Sequence, residues 1–337
     1  MTLTSMRRLI LIAVMLVLGA VLTILNPVFL TLGNIMTLFQ EASLVGIVAI
    51  GFTLVMITAG IDLSIGAVIA VTSMICVNFL SHTPIPAPLF IPVALAFGAL
   101  VGFVNGTFIT RFKLPEFIST LAMKGILAGL ALVIAVKDEF GFVQNVYIQD
   151  ETYLWFGGTV GNVHVVTIAF FLLAFLTQTF MKRTRLGTNI YASGANLTAA
   201  RLTGINTDKT IVGVYMFSGV CAALASIFIS SRMMTAMPEL GIGSEMDVIA
   251  AVVIGGTPFT GGIGDIWGTV LGAVFLALIK NGILKLNMSP YIQPIVIGGI
   301  IIATVIADVW YKDFAEKLVV NAARRKEILE QSRGDVA

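Results

Sequence analysis

Charged residues are scarce in this sequence. Lys, Arg, Asp and Glu together make up 11% of its 337 residues, whereas hydrophobic residues make up 58%. About a quarter of the residues in a soluble globular domain are charged. The scarcity of charge therefore excludes an ordinary soluble domain, and apolar runs of about 20 residues, the length that crosses a bilayer, recur along the chain. We predict an all-α polytopic transmembrane helical bundle.

Cysteine and histidine are also too few and too scattered for a disulfide framework or a metal site. Cys76 and Cys221 lie inside apolar runs, and His82 and His164 stand far apart. No Ser/His/Asp, Cys/His or paired-carboxylate arrangement stands out. The glycine-rich stretch "GGTPFTGGIGD" lacks the lysine and the spacing of a phosphate-binding loop. We therefore expect that the chain is no enzyme, binds no metal or cofactor, and relies on a partner if ATP is used.

Ten apolar runs divide the chain. They fall at 9–25, 43–59, 64–80, 89–110, 116–136, 163–181, 210–231, 247–262, 267–285 and 291–310. The first run has no small-residue cleavage site before Asn26, so we expect a retained helix rather than a signal peptide. Two pairs of short runs, joined at Ala59–Ser64 and around Asp265, leave open eight full spans with broken or re-entrant pieces instead of ten.

Basic residues are distributed unevenly between the two sides of the predicted bundle. With the N-terminus inside, fifteen of the twenty basic residues fall on inner segments. They are Arg7, Arg8, Arg111, Lys113, Lys182, Arg183, Arg185, Arg201, Lys209, Lys312, Lys317, Arg324, Arg325, Lys326 and Arg333. Cytoplasmic loops carry an excess of Lys and Arg. We predict that both termini are cytoplasmic, that residues 1–312 form a single transmembrane domain, and that residues 313–337 form a charged cytoplasmic tail.

One long polar segment, residues 182–209, interrupts the apolar pattern on the predicted cytoplasmic side. Asn196 is suited to cap a short helix in it, and Gly204 is suited to end that helix. The apolar and basic positions of the helix are Leu197, Ala200, Leu202 and Arg201. Such a helix can dock into a groove of another protein, or it can be a solvated connection held at the lipid headgroups by its basic residues.

Several ionisable and amide side chains fall within or beside the apolar runs, where each is costly. They are Glu41, Asp62, Glu116, Lys124, Glu245, Asp247, Asp265 and Asp308, with the amides Gln40, Asn78, Asn105 and Gln293. Asp62 or Ser64 can cap the helix that begins at Ile65, so capping and transport both remain open for Asp62. Asn105 can line a polar path or bond one helix to another. Our candidates for residues along a route through the membrane are Gly60, Asp62, Ser64, Asn105 and Gly256.

Five segments form a combination that is more specific than any single motif. They are "NPVF" from Asn26, "GFTLVMITAGIDLSIGAV" from Gly51, "LPEFISTLA" from Leu114, "TRLGTNIYASGANLTAARLTGI" from Thr184 and "DVIAAVVIGGTPFTGGIGDIWGT" from Asp247. In this order and spacing they closely resemble the permease subunits of ribose-type ABC sugar importers. The resemblance covers nearly the whole chain, and its most specific parts are "GIDLS" and "YASGANLTAARLTGI".

The resemblance implies a transporter of three parts in the cytoplasmic membrane of a bacterium. A periplasmic or surface binding protein delivers a monosaccharide, two permease copies, identical or paralogous, form the path, and cytoplasmic ATPase domains use ATP and Mg²⁺. The segment 185–205 would then be the coupling segment that docks on the ATPase. Its residues with that implied role are Gly194, Asn196, Leu197, Ala200, Arg201, Leu202 and Gly204.

Other functions fit parts of the pattern. A secondary transporter driven by protons or sodium would use Asp62, Asp247 or Lys124 and would need no ATPase. A membrane enzyme that acts on lipid would need a clustered catalytic set, which the sequence does not offer. A scaffold without transport activity would not explain the glycines and amides in the middle of the apolar runs.

Overall fold

The computed structural model describes residues 3–82, 87–137, 139–141, 143–306 and 310. Its helices are α1 Leu3–Leu25, α2 Leu32–Ile57, α3 Ile65–His82, α4 Ala87–Arg111, α5 Glu116–Ile134, α6 Glu151–Leu154, α7 Val165–Arg183, α8 Arg185–Ala195, α9 Leu197–Leu202, α10 Thr207–Met233, α11 Ser244–Ile254, α12 Ile266–Lys285 and α13 Ile292–Ile306. Two short antiparallel pairs join β1 Val146–Tyr147 to β4 Thr235–Ala236, and β2 Thr159–Val160 to β3 Val163–His164. The predicted tail at 313–337 lies outside the described residues.

Seven of these helices, α1, α2, α4, α5, α7, α10 and α12, are long and apolar enough to cross a membrane. Two further apolar helices are shorter, Ile65–Asn78 within α3 and Ile292–Ile306. The run at 247–262 becomes the 11-residue α11 followed by a non-helical stretch, Gly255–Asp265. Such a helix is only about 16 Å long, about half the hydrocarbon thickness. The chain is therefore an all-α polytopic bundle, and a broken helix occupies one of the ten runs.

Helix α2 begins eleven residues before the apolar run that predicted it. The additional part contains Asn34, whose side-chain amide donates to Asn281 Oδ1 of α12 over 2.9 Å and accepts in return over 3.1 Å. This reciprocal pair satisfies two buried amides inside the bundle. Asn34, which lies outside the predicted span, is therefore a packing residue between helices.

Helix α10 is the most extensively packed element, and it lies against α4 with the two backbones in contact. A Cβ on Gly102 of α4 would lie 2.1 Å from the carbonyl oxygen of Tyr215, and one on Gly219 of α10 would lie 2.0 Å from that of Gly98. Small residues permit such close approach between membrane helices. Since Gly98 faces Gly219 and Gly106 faces Val212, α4 and α10 run antiparallel.

The short helices α8 and α9 lie at one end of the bundle, and the two β pairs lie at the other. Helix α9 precedes the start of α10, whereas β4 follows its end. Because α4 is antiparallel to α10, the end of α4 that carries Arg111 lies at the α8–α9 end, near Arg183 and Lys209. These three basic residues thus gather where the positive-inside rule predicts the cytoplasm.

We expect a cysteine introduced at Thr198 to react with a membrane-impermeant thiol reagent only from the cytoplasmic side, and one at Gln149 only from the opposite side. The measurement is labelling of intact cells and of inverted vesicles. Both native cysteines, Cys76 and Cys221, are buried and give little background. Labelling of positions 149 and 198 from the same side would contradict the orientation.

Candidate functional site

The turn between α2 and α3 brings a carboxylate into the interior of the bundle. Helix α2 ends at Ile57, and Ala59 adopts a left-handed backbone with φ of 62° that helps to reverse the chain. A Cβ on Gly60 would lie 2.7 Å from the hydroxyl oxygen of Tyr215, so a larger residue would disturb this turn. The turn then carries Asp62, whose exposed fraction is only 1%.

The Asp62 carboxylate accepts three hydrogen bonds. Its Oδ1 accepts from the backbone N–H of Ser64 over 3.0 Å and from the Ser64 hydroxyl over 2.6 Å. Its Oδ2 accepts from the hydroxyl of Ser218 on α10 over 3.0 Å. On α4, Asn105 donates from Nδ2 to Ser64 Oγ over 3.0 Å. The carboxylate is thus held by a backbone amide and two hydroxyls, which tie the turn to α4 and α10.

The neighbouring carbonyl of Ile61 extends this network. It accepts from the hydroxyl of Tyr215 on α10 and from that of Thr120 on α5, each over 3.2 Å. Asn105 Oδ1 is buried and has no hydrogen-bond partner among the described residues. We call these side chains the Asp62 cluster. Its members are Asp62, Ser64, Asn105, Thr120, Tyr215 and Ser218.

The structure brings together four of the five residues predicted along a route. Gly60, Asp62, Ser64 and Asn105 lie in or beside the Asp62 cluster, whereas Gly256 lies in the stretch after α11, with φ of 91°. Sequence reasoning missed Thr120, Tyr215 and Ser218. Hydroxyl residues inside apolar helices are common, and these gave no signal that would distinguish them from other packing residues.

The glycine-rich stretch Gly255–Asp265 packs against the end of α2. The backbone N–H of Gly262 donates to the carbonyl of Ile57 over 2.8 Å. Asp265 caps α12 by accepting from Gly268 N over 2.9 Å, and it also accepts from Gln178 Nε2 of α7 over 2.9 Å.

Asp265 also pairs with the first membrane helix. The Arg8 guanidinium of α1 lies 2.5 Å from Asp265 Oδ2. The start of α12 is thereby fixed to α7 and α1.

Helix α8 contacts both the end of α2 and the stretch Gly255–Asp265. A Cβ on Gly194 would lie 1.7 Å from the carbonyl oxygen of Ile57 and 2.8 Å from the backbone nitrogen of Gly262. The hydroxyl of Tyr191 donates to the carbonyl of Gly264 over 2.9 Å. The last turn of α8 therefore sits directly on the end of α2, where the chain enters the turn that carries Asp62, and on the stretch that leads into α12.

Both predicted ends of the short helix α9 are confirmed. Asn196 Oδ1 accepts from the backbone N–H of Ala199 over 2.9 Å, which is an N-cap. At the other end, Gly204 has φ of 85°, its N–H donates to the Arg201 carbonyl, and the N–H of Ile205 donates to the Ala200 carbonyl. These two bonds form a Schellman motif.

Of the three apolar positions predicted for docking, Leu197 and Leu202 are exposed on α9 and Ala200 is not. Ala200 is only 4% exposed and faces the protein, whereas Leu202 is 84% exposed and Leu197 is partly exposed. Ala200 therefore cannot contact a partner without a rearrangement. Arg201 is also engaged, because it donates to Asp208 Oδ1 over 2.7 Å and to Thr207 Oγ1 over 2.8 Å.

The three residues considered for ion-coupled transport do not form one site. Lys124 pairs with Glu245, and Lys280 lies 2.5 Å from Asp247. Asp62 is bonded instead to the hydroxyls of its own cluster. Each charged side chain thus has a separate local partner.

Comparison with known proteins decides the family. A family model described as the branched-chain amino acid transport system permease component matches residues 34–305. The chain belongs to this family. It is therefore a multi-pass membrane permease component, and no solved structure matches it.

The permease is also similar to curated proteins that are named for sugars. It is 37% identical over 301 residues to the ribose import permease of Escherichia coli strain K12, covering 87% of this chain and 91% of that protein. The D-allose transport system permease of the same strain is 34% identical, covering 83% and 84%. The fructose import permease of Rhizobium meliloti is 32% identical, covering 87% and 82%.

Proposed function

We propose that this permease is the membrane-spanning subunit of an ATP-binding-cassette importer that moves a monosaccharide into a bacterial cell. The observation that carries the proposal is the 37% identity to a ribose import permease over 87% of the chain. The family description mentions branched-chain amino acids. The relatives named for ribose, D-allose and fructose favour a sugar for this chain.

The importer that we propose contains partners for the steps that this chain does not perform. A cytoplasmic ATPase binds ATP and Mg²⁺, a periplasmic or surface protein delivers the sugar, and a second permease copy completes the path. We assign docking of the ATPase to the exposed part of α9. Leu202 and Leu197 provide the apolar contact there, and buried apolar anchors supply most of the energy of such an interface.

In this proposal, movement of the ATPase reaches the membrane through α8. Gly194 lies against the carbonyl of Ile57, which accepts from Gly262. A displacement of α8 therefore pushes on backbone atoms at the end of α2 and in the stretch Gly255–Asp265. Packed backbones transmit such a shift rather than absorb it. The end of α2 leads within a few residues to Asp62, which accepts from Ser218 of α10, and to Ser64, which accepts from Asn105 of α4. Asn105 Oδ1, which has no partner among the residues that the structure describes, supplies an acceptor for a passing hydroxyl.

The test of the proposal is purification of the permease from its native membrane, followed by identification of the proteins that remain bound. We expect a protein with a phosphate-binding loop and, after cross-linking from outside, a binding protein. Mass spectrometry of the small molecule released from that binding protein is expected to show a monosaccharide. A branched-chain amino acid in its place would contradict the assigned substrate, and the absence of any ATPase would contradict the importer.

Asp62→Asn is expected to fold and to transport close to the wild-type rate. The asparagine oxygen can still accept from Ser64, and the Ser218 hydroxyl can accept from the new amide. Asp62→Ala leaves three donor groups without their acceptor, which costs about 1–3 kcal/mol of stability for each buried group left unpaired. The measurements are thermal unfolding and uptake. If Asp62→Asn folds normally but loses uptake, Asp62 is not merely a hydrogen-bond acceptor that holds the turn. Its negative charge would then be needed for transport.

A further inference from the structure

A cavity of about 270 Å³ lies at the end of the bundle opposite to α8 and α9. Glu41 on α2, Arg232 on α10, Lys280 on α12 and Gln293 on α13 line it, together with apolar side chains such as Leu276. Glu41 precedes the end of α2 by sixteen residues, or about 24 Å of helix. The cavity is therefore on the predicted outer side, well separated from the α8–α9 end.

The polar groups of the cavity retain free hydrogen-bonding capacity. The Arg232 guanidinium and the Glu41 carboxylate are 4.0 Å apart, which is longer than a hydrogen bond. Lys280 donates to Asp247 Oδ2 over 2.5 Å, and among the described residues the other two of its three ammonium protons have no further acceptor. Gln293 adds an amide that both donates and accepts. A ligand in the cavity thus meets donors and acceptors from four helices.

Side chains of both charge signs surround the cavity. Two cationic side chains, Arg232 and Lys280, face two carboxylates, Glu41 and Asp247, and each cation lies beside one carboxylate. Lys280 and Lys285 also act electrostatically on Glu41, but each of the two cations that line the cavity has a carboxylate beside it, which offsets its attraction for an anion. Its size is below the roughly 300–1,000 Å³ of pockets for drug-sized ligands. A small neutral molecule with several hydroxyl groups fits this combination.

We propose that this cavity is an outer binding site for the transported monosaccharide, in which Glu41, Lys280 and Gln293 bind sugar hydroxyls. The inference rests on the proposed function, since it names the site that receives the sugar from the binding protein. The apolar wall formed by residues such as Leu44 and Leu276 packs against the C–H groups of the sugar ring. From here the sugar continues along α2 toward the Asp62 cluster.

The first test uses the complete importer in liposomes, with ribose and leucine as labelled probes delivered by the binding protein. We expect ribose uptake, and we expect Glu41→Gln/Gln293→Leu to lower it by about tenfold, as the loss of hydrogen bonds to a ligand does. The matched control is Thr304→Val in α13, because its hydroxyl donates to the carbonyl of Ile300 within that helix and to no other described residue. This control is expected to leave uptake unchanged.

The second test does not depend on the folding of that double variant. A single Gln293→Cys variant is labelled from outside with a small thiol reagent. Ribose at about twice its Kd is expected to slow labelling about threefold, because two thirds of the sites are occupied, and leucine is expected to have no effect.

The outcomes separate the two proposals. Ribose uptake by the wild type with an unchanged rate in the double variant, or no protection of Cys at position 293, would overturn the cavity site alone. Uptake of leucine without ribose would overturn the proposed function and the ligand class of the cavity together.

Discussion

Gly194→Ala is expected to lower uptake by at least about tenfold while the ATPase remains bound. The added Cβ would lie 1.7 Å from the carbonyl oxygen of Ile57 and 2.8 Å from the backbone nitrogen of Gly262. Since both neighbours are backbone atoms, α8 must move away from the end of α2, and overpacking of this kind costs about 1–3 kcal/mol. The exposed leucines of α9 are untouched, so docking survives although coupling is lost.

The matched control is Gly213→Ala on the exposed side of α10. Apart from its own helix backbone, no atom of the described residues lies within 4 Å of a Cβ at that position, and alanine favours a helix interior over glycine by about 1 kcal/mol. We expect normal uptake and equal or greater stability. The measurements are uptake in vesicles, ATPase activity, and co-purification of the ATPase. Wild-type uptake by Gly194→Ala would contradict the assignment of α8 as the connection to the membrane helices.

Leu202→Asp is expected to release the ATPase from the permease. Leu202 is 84% exposed on α9, and an apolar anchor at the centre of an interface contributes about 2 kcal/mol or more, which corresponds to roughly thirtyfold in Kd. Arg201→Ala is expected to do less, about 1 kcal/mol, because Arg201 is already paired with Asp208. The measurement is the Kd of the purified ATPase for permease in nanodiscs.

The control for that experiment is Val160→Asp in the β2–β3 hairpin. This valine is also exposed but lies at the opposite end of the bundle, so the Kd is expected to stay unchanged. Ala200→Trp would not be a clean test of docking, because Ala200 is buried and tryptophan there would first disturb α9 itself. An unchanged Kd for Leu202→Asp would show that the ATPase docks elsewhere, with the segment Arg111–Pro115 as the next candidate.

The local features of the coupling segment were predictable, but its exposed face was not. Asn196 and Gly204 act through hydrogen bonds within their own turns, so residue type and spacing were enough to place both caps. A helix of six residues, however, is too short for periodicity to show which side is buried. Packing against the rest of the chain decides this, and it buries Ala200 while it exposes Leu202.

In the Asp62 cluster, too, local contacts were predictable from the sequence and contacts between distant residues were not. Asp62 and Ser64 are two residues apart, and the sequence already placed them at the start of a helix. Ser218 bonds to Asp62 across 156 positions, and hydropathy carries no information about such a pairing. Lys124 likewise looked like an isolated charge in a span until folding brought it to Glu245. Non-local partners of polar groups are therefore what the sequence alone could not provide.

The most direct test of the account is sugar uptake by liposomes that contain this permease, its ATPase and its binding protein as the only proteins. We predict that labelled ribose or another monosaccharide accumulates when ATP and Mg²⁺ are present on the ATPase side. We predict no accumulation with a non-hydrolysable ATP analogue, or when the permease carries Gly194→Ala. Accumulation that follows an imposed proton or sodium gradient without ATP would contradict the account, and so would ATP-driven uptake that is insensitive to both Gly194→Ala and Leu202→Asp.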